Sequence, residues 1–114
     1  VVLTDRVDKA PVDEIGPLFE NAPIFPERTN TEFVRVVNKN MIKMRVWERG
    51  NGETYACGTG ACAAVAAAVK SGLCSEGEPV TVKVRGGDLT VTVTENGILL
   101  TGNAERVFKG EVRY

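Results

Sequence analysis

Several features are scarce or missing in this 114-residue sequence, and each absence excludes a class of protein. The longest apolar run, Ala61 to Val69, is about half of the ~20 residues that a membrane-spanning helix needs, so we expect no membrane segment. The net charge is only -1 and no basic block is present, which argues against a nucleic-acid partner. The three cysteines are an odd number, which argues against a disulfide framework and favours a reducing cytoplasm.

The composition is that of one folded globular domain. Apolar residues make up 43% of the chain and charged residues 25%, close to the average for globular proteins. We therefore expect residues 1–114 to form a single domain. The chain begins with VVLTD, which has no initiator Met and already resembles a strand. This start indicates a piece of a longer protein, in which a missing N-terminal half would carry part of any functional site.

Hydrophobic periodicity predicts two helices and several hairpins. Residues 11–21 repeat apolar side chains at helical spacing, and a second helix is expected from about residue 59 to 71, ending at Gly72. Alternating residues over 31–47 predict a hairpin around the NKN sequence. The same alternation over 79–102 predicts a meander whose two-residue turns are GG and NG, and residues 104–114 continue it.

The second helix has an unusual composition, because ACAAVAAAV offers no polar face before Lys70. A helix enclosed by a sheet would have this composition, since alanine lets strands approach from every side. We therefore expect an α+β fold in which an antiparallel-rich sheet curls as a barrel around one central buried helix. An ordinary amphipathic helix lying on a sheet is the alternative.

Two cofactor hypotheses for the loop before this helix are weak. GTGACA, residues 58–63, fits the G-x-G-x-x-A pattern of dinucleotide-binding proteins, but no apolar strand precedes it and antiparallel hairpins follow. The spacing of Cys57, Cys62 and Cys74 contains no C-x-x-C pair, and the chain has no histidine. We therefore predict neither a bound cofactor nor a metal.

A catalytic role suits Cys57 better. It comes just before the first helical turn, where unpaired N–H groups and the helix dipole stabilise a thiolate. The N–H groups of Gly58, Thr59 and Gly60 would bind a small anion such as a carboxylate. A base beside a bound carboxylate suits proton removal from the adjacent carbon, because fixed donors stabilise the developing charge. Cys62 and Cys74 are expected to be inert.

Three segments of the chain resemble one enzyme family. ERGNGETYACGTGACA, residues 48–63, closely resembles the C-terminal cysteine signature of diaminopimelate epimerases. FPERTNTEFV, residues 25–34, and GILLTGNAERVFKGEV, residues 97–112, are similar to the segments that flank this signature in the family. Proline racemases share the fold and a similar turn, but they lack the lead-in E-R-G-x-G-x-T-x-A.

The resemblance implies a two-domain enzyme, each half a β-rich barrel around a central helix, with this chain as the C-terminal half. The family interconverts LL- and meso-diaminopimelate, in the synthesis of lysine and of a cell-wall precursor, without pyridoxal phosphate or metal. Two cysteines exchange protons on opposite faces of the α-carbon. Cys57 matches the C-terminal one, and the other lies in the N-terminal domain, so this chain alone should be inactive.

The resemblance also implies a set of substrate-binding residues. Gly58 and Thr59 match the turn that holds the reacting carboxylate, while Asn30, Glu48 and Arg49 match residues that recognise the substrate. The partners implied are diaminopimelate and the missing N-terminal domain, and a homodimer stays open. Two alternatives also stay open: a racemase or isomerase of the same fold acting on another amino acid, and a non-catalytic domain that binds carboxylates.

Overall fold

The computed structural model describes residues 1–55 and 57–102 of an α+β protein. Seven strands and two helices form in these ranges, and Val7–Lys9 makes a short 3-10 turn. Neither helix is long and apolar enough to cross a membrane. The elements, in chain order, are β1 (Val2–Leu3), α1 (Val12–Glu20), β2 (Thr31–Asn38), β3 (Met41–Glu48), β4 (Gly52–Thr54), α2 (Gly58–Lys70), β5 (Val80–Val84), β6 (Gly87–Thr94) and β7 (Gly97–Gly102).

All seven strands belong to one sheet, in the order β1-β2-β3-β5-β6-β7, with β4 paired to the end of β3. The pairs β1–β2 and β3–β5 are parallel, and the other pairs are antiparallel. The hairpins β2–β3, β5–β6 and β6–β7 are those that the alternating sequence predicts. The parallel step from β3 to β5 uses α2 as its crossover, which is the usual way to connect parallel neighbours. In the described ranges the sheet is open, with β1 and β7 at its edges, so the expected closed barrel is not seen in this part of the chain.

Helix α2 packs on one face of the sheet and forms the larger core. Its buried residues are Gly60, Ala61, Ala64, Val65 and Ala68, and the last four pack against the apolar side chains of β2, β3, β5 and β6. On the opposite side of the helix Ala63 is exposed, so α2 is not enclosed on all sides within the described ranges. The expectation of all-round burial is wrong for this part of the chain. Alanine tolerates exposure as well as close packing, and its abundance therefore does not distinguish a covered helix face from an open one.

Helix α1 covers the other face of the sheet. Successive residues of a strand point to opposite faces, and accordingly Val34 joins the α2 core while Phe33 joins the α1 core. Phe19 of α1 meets Phe33 edge to face, with ring centroids 5.9 Å apart. The ring of Trp47 lies directly against Gly16, which has no side chain to block it. The small residue at position 16 therefore sets how closely α1 approaches β3.

The sequence predicts most elements correctly, with local differences. Both helices and the hairpins β2–β3, β5–β6 and β6–β7 are confirmed. The two-residue turns are Arg85–Gly86 and Glu95–Asn96, one residue earlier than predicted, because Gly87 and Gly97 use their positive φ angles as first residues of the next strands. Strand β4 was not predicted. The strand predicted in residues 104–114 lies outside the described residues.

An ion pair between β3 and β4 ties the N-terminal segment to the sheet. Arg45 Nε and Nη2 donate to the two carboxylate oxygens of Glu53 at 2.6 and 3.0 Å, and both side chains are about nine-tenths buried. Arg45 Nη1 also donates to the carbonyl oxygens of Val7 and Ala10, at 3.2 and 2.8 Å. The hydrogen bond from Arg45 holds the pKa of Glu53 below its ordinary value, and the nearby charges of Arg45 and Arg85 add to this effect.

We predict that Gly16→Ala destabilises the protein although alanine favours helix. The new Cβ would lie 2.6 Å from Cγ and 2.7 Å from Cε3 of Trp47, and this overlap costs about 1–3 kcal/mol after the gain in helix propensity. Urea unfolding measures the change. Leu18→Ala, on the exposed side of the same helix, should change the free energy of unfolding by less than about 0.5 kcal/mol. A Gly16→Ala protein as stable as wild type would contradict the close contact with Trp47.

We also predict that Arg45→Met lowers the free energy of unfolding at pH 7 by about 3 kcal/mol, because it leaves the carboxylate of Glu53 buried with only Arg85 beside it. Since the pKa of Glu53 is lowered on folding, its stabilising contribution is complete above the ordinary value of 4.5 and is lost as the pH falls through the folded-state pKa. Urea unfolding at decreasing pH should therefore show a weaker acid dependence in the variant. Lys83→Met is the control. It removes an exposed ion pair in which Lys83 Nζ lies 3.8 Å from Asp88 Oδ2, and it should lower the free energy of unfolding by less than about 1 kcal/mol.

Candidate active site at the start of helix α2

Cys57 is the N-cap residue of α2. Its backbone is extended, with φ -146° and ψ 110°, and its carbonyl oxygen accepts the first helical hydrogen bond, from Ala61 N–H at 2.9 Å. The Gly60 N–H donates to Cys57 Sγ at 3.3 Å, and Thr59 Oγ1 also lies 3.3 Å from this sulfur. The side chain thus caps the helix with sulfur where serine or aspartate usually caps it with oxygen. The Gly60 N–H therefore points at the sulfur.

The first turn of α2 keeps two N–H groups for an anion. The expectation that Gly60 also binds one is wrong, because its N–H is used by Cys57 Sγ. Gly58 and Thr59 are the first two helical residues, and their N–H groups have no carbonyl partner within a helix. A Cβ on Gly58 would lie 2.9 Å from Leu100 Cδ2 on β7, so a larger residue there would displace the Leu100 side chain. The turn therefore presents two N–H groups next to a thiol.

Asn30 and Arg49 lie next to each other, at the end of the sheet where α2 begins. Asn30 directly precedes β2, and Arg49 lies in the turn between β3 and β4, where Gly50 and Gly52 have positive φ angles. Asn30 Oδ1 accepts a hydrogen bond from the backbone N–H of Arg49 at 2.8 Å, and Arg49 Nη1 donates to the carbonyl oxygen of Glu27 at 3.1 Å. These bonds leave the Asn30 amide nitrogen and the other guanidinium N–H groups to recognise a ligand.

Glu48 is the last residue of β3 and directly precedes Arg49. Its Oε1 accepts a hydrogen bond from Thr54 Oγ1 of the neighbouring strand at 2.8 Å. Its charge contributes to raising the pKa of Glu32, which in turn contacts Gly60 of α2. Among the residues that the structure describes, no hydrogen bond joins Arg49 directly to Cys57. The predicted residues thus form two groups at one end of the sheet, Asn30 with Arg49 and Cys57 with Gly58 and Thr59.

Sequence reasoning missed the carboxylate of Glu32. This residue is only 6% exposed, and its side chain lies against Gly60 in the first turn of α2. Burial raises its pKa, and the charge of Glu48 adds to the effect. The alternation of β2 contained the signal, because Glu32 precedes Val34 by two residues and so points to the same buried face.

Glu20 was also missed, and it organises the loops that carry Asn30 and Arg49. It lies on the buried stripe of α1, four residues after Gly16, which helical spacing would have revealed. Its carboxylate accepts hydrogen bonds from Trp47 Nε1 at 2.8 Å, from Arg28 Nη1 at 2.9 Å and from Gly50 N–H at 3.3 Å. The bond from Trp47 is the largest of the effects that lower the pKa of Glu20. One carboxylate therefore connects the loop before Asn30 with the turn that holds Arg49.

The other candidate ligand sites are weaker. A cleft of about 200 Å³ is lined by Lys43, Arg45, Lys83 and Arg85, but each of these cations is paired with a carboxylate. Among residues 1–55 and 57–102, no three potential metal ligands converge. The three cysteines are free thiols. Burial raises the pKa of Cys74, which keeps this thiol protonated and suits the inert role expected for it.

Comparison with known proteins places the chain in a family. The family model described as Diaminopimelate epimerase matches residues 1–107. The chain is 47% identical to a diaminopimelate epimerase of Bacillus cytotoxicus over 100% of its own length, and 51% identical to one of Methanococcus maripaludis over 98%. It spans about 40% of the length of both relatives.

A solved structure has a similar fold. It is a Bacillus anthracis phenazine biosynthesis protein of the PhzF family, 25% identical in sequence, with a TM-score of 0.59. The superposition covers 86% of this chain and 32% of that protein. The family match extends over nearly the whole chain, including every residue of the site at the start of α2. The chain therefore belongs to the diaminopimelate epimerase family.

Proposed function

We propose that this chain forms one half of an active site that interconverts LL- and meso-diaminopimelate, with Cys57 as one of two groups that exchange a proton with the substrate. The observation that carries the proposal is the position of Cys57, whose sulfur caps α2 beside the N–H groups of Gly58 and Thr59. The curated relatives are diaminopimelate epimerases of about 2.5 times this length, which leaves room for a second half.

In the proposed reaction, Gly58 and Thr59 hold the carboxylate next to the reacting carbon through their backbone N–H groups. Cys57 as a thiolate removes the α-proton, so that the C–H bond breaks and an S–H bond forms. The electron pair left on carbon spreads into the carboxylate, and the two N–H groups and the helix dipole stabilise this charge. A second cysteine, from residues outside this chain, gives its thiol proton to the opposite face of the carbon.

The reverse reaction exchanges the two roles, so each cysteine serves as base in one direction and as acid in the other. Such proton exchange between thiols needs neither pyridoxal phosphate nor a metal. The site lies beside β7, where Gly58 approaches Leu100. Because one cysteine comes from elsewhere, the chain alone should not catalyse the reaction.

The distal end of diaminopimelate carries a second amino acid group, and we assign its recognition to Asn30, Glu48 and Arg49. The guanidinium of Arg49 can donate two parallel hydrogen bonds to the distal carboxylate. It is oriented by its bond to the Glu27 carbonyl oxygen, and the turn that carries it is held by Asn30. Glu48, oriented by Thr54, provides a negative group for an ammonium.

We further propose that the sheet closes into a barrel around α2 in the longer protein. Two features support this extension. The side chains of Ile98, Leu99 and Leu100 on the edge strand β7 are exposed, and so is Ala63 on the outer face of α2. In a closed barrel, additional strands would cover these apolar surfaces on the side of the sheet where Cys57 lies.

The central prediction concerns Cys57→Ala in the natural full-length protein. With LL-diaminopimelate in deuterated water, the wild type should incorporate deuterium at the α-carbon, and the variant should do so at least ~10³-fold more slowly, because a proton-transfer group is lost. Mass spectrometry of the recovered amino acid measures the rate. Cys62→Ala, one turn further along α2, should keep most of the activity. Absence of incorporation by the wild type would refute the epimerase proposal.

A second prediction tests substrate recognition. Arg49→Gln should raise KM for diaminopimelate by about 10–100-fold, because a charge-assisted pair of hydrogen bonds is lost, while kcat falls less. Steady-state kinetics with both stereoisomers provide the measurement. Arg35→Gln, an exposed arginine on β2, is the matched control and should leave KM unchanged. An unchanged KM for diaminopimelate in Arg49→Gln would contradict the assignment of Arg49 to the distal carboxylate.

A further inference from the structure

Glu32 is a buried carboxylate at the same helix turn as Cys57, and the proposed reaction does not yet use it. It pairs with Val46 in the register between β2 and β3, and it is 6% exposed. Its neighbour along the same face of β2, Val34, belongs to the apolar core. A charged group at such a position lowers stability unless it has a partner or a function.

The carboxylate of Glu32 and the thiol of Cys57 both lie next to Gly60. A Cβ built on Gly60 would lie 2.9 Å from Glu32 Oε1 and 3.3 Å from Cys57 Sγ, so both groups border the same point of the first turn. The Gly60 N–H donates to the sulfur, while the Cα of the same residue faces the carboxylate. Any larger residue at position 60 would displace one group or the other.

The charges around Glu32 leave it poorly compensated. Burial is the main cause that raises its pKa, and the negative charge of Glu48 on β3 acts in the same direction. The backbone N–H of Glu32 itself opposes these effects. So does the α-amino group of Val1, a charge that a longer chain would not carry at this position. In the described part of the chain, no lysine or arginine lowers the pKa of Glu32. On α2 the titratable group at this end is Cys57. Two acids therefore lie close together in a site where a second negative charge is disfavoured.

We propose that Glu32 is a positioning residue that sets the balance between thiol and thiolate at Cys57. When Glu32 is ionised, its charge favours the protonated thiol, and when Glu32 is neutral, the Gly60 N–H and the helix dipole favour the thiolate. The inference rests on the proposed function, since a two-base epimerase needs one thiol and one thiolate at the same time. An ionised Glu32 makes Cys57 the thiol, that is, the acid, of the resting enzyme.

The test is the pH dependence of alkylation in the natural full-length protein. Iodoacetamide reacts with the thiolate, and peptide mass spectrometry separates Cys57 from Cys62. Glu32→Gln removes the charge at nearly constant size. In this variant the midpoint of the pH profile of Cys57 alkylation should move down by about one pH unit. Below the midpoint, alkylation should then be about tenfold faster than in the wild type. Glu32→Asp should stay near the wild-type midpoint, and Glu14→Gln, on the surface of α1, should not move it.

A midpoint that is unchanged in folded Glu32→Gln would overturn the inference. If Glu32→Gln does not fold, the wild type provides the second measurement, because the ¹³C resonance of the Glu32 carboxyl should shift as Cys57 titrates and should lose this step in Cys57→Ser. A Glu32 carboxyl resonance that titrates identically in the wild type and in Cys57→Ser would also overturn the inference. Alkylation requires no substrate, so the two proposals can fail separately. If the wild type exchanges deuterium but Glu32→Gln shows no midpoint shift, only the role of Glu32 is contradicted. If the midpoint shifts but the wild type exchanges no deuterium, only the epimerase proposal is contradicted.

Discussion

The close approach of the first turn of α2 to the sheet is the constraint on which the site depends. Gly58 lies against Leu100 of β7, and Gly60 lies against Glu32 of β2, so that a side chain at either position would displace the neighbouring side chain. This contact places the N-terminal N–H groups of a helix at the end of the sheet where Asn30 and Arg49 also lie. The glycines that define the loop in the sequence therefore also have a role in packing.

A second group of contacts holds the loops in place without being part of the reaction. Glu20 connects Trp47, Arg28 and the turn at Gly50, while Asn30 is bonded to the backbone of Arg49. Binding groups on loops need such support, because small displacements weaken directed hydrogen bonds. Arg28 has a φ of 64° in this network, an uncommon conformation for a residue with a side chain. The contacts of its side chain with Glu20 help to maintain that conformation.

Local pattern predicted much of the fold because the alternation of strands and the spacing of helices are properties of short segments. The pairing of β2 with β3, the meander from β5 to β7 and the N-terminal position of Cys57 all follow from such segments. Strand β4 escaped prediction since its three residues, Gly52–Thr54, contain too little alternation to be recognised. The turns before Gly87 and Gly97 were displaced by one residue because a glycine suits both the turn and the first strand position.

The sequence by itself determined the family, the helix start at Cys57 and the residues that we propose for proton transfer and carboxylate binding. Only the tertiary structure decided which of them are neighbours, because contacts between residues far apart in the chain depend on strand register and helix packing. It brought Glu32 to Gly60 and Cys57, assigned the Gly60 N–H to the sulfur, and left the sheet open over the described residues. An alanine-rich helix favours close packing, but the number of sides that are covered depends on the strands around it.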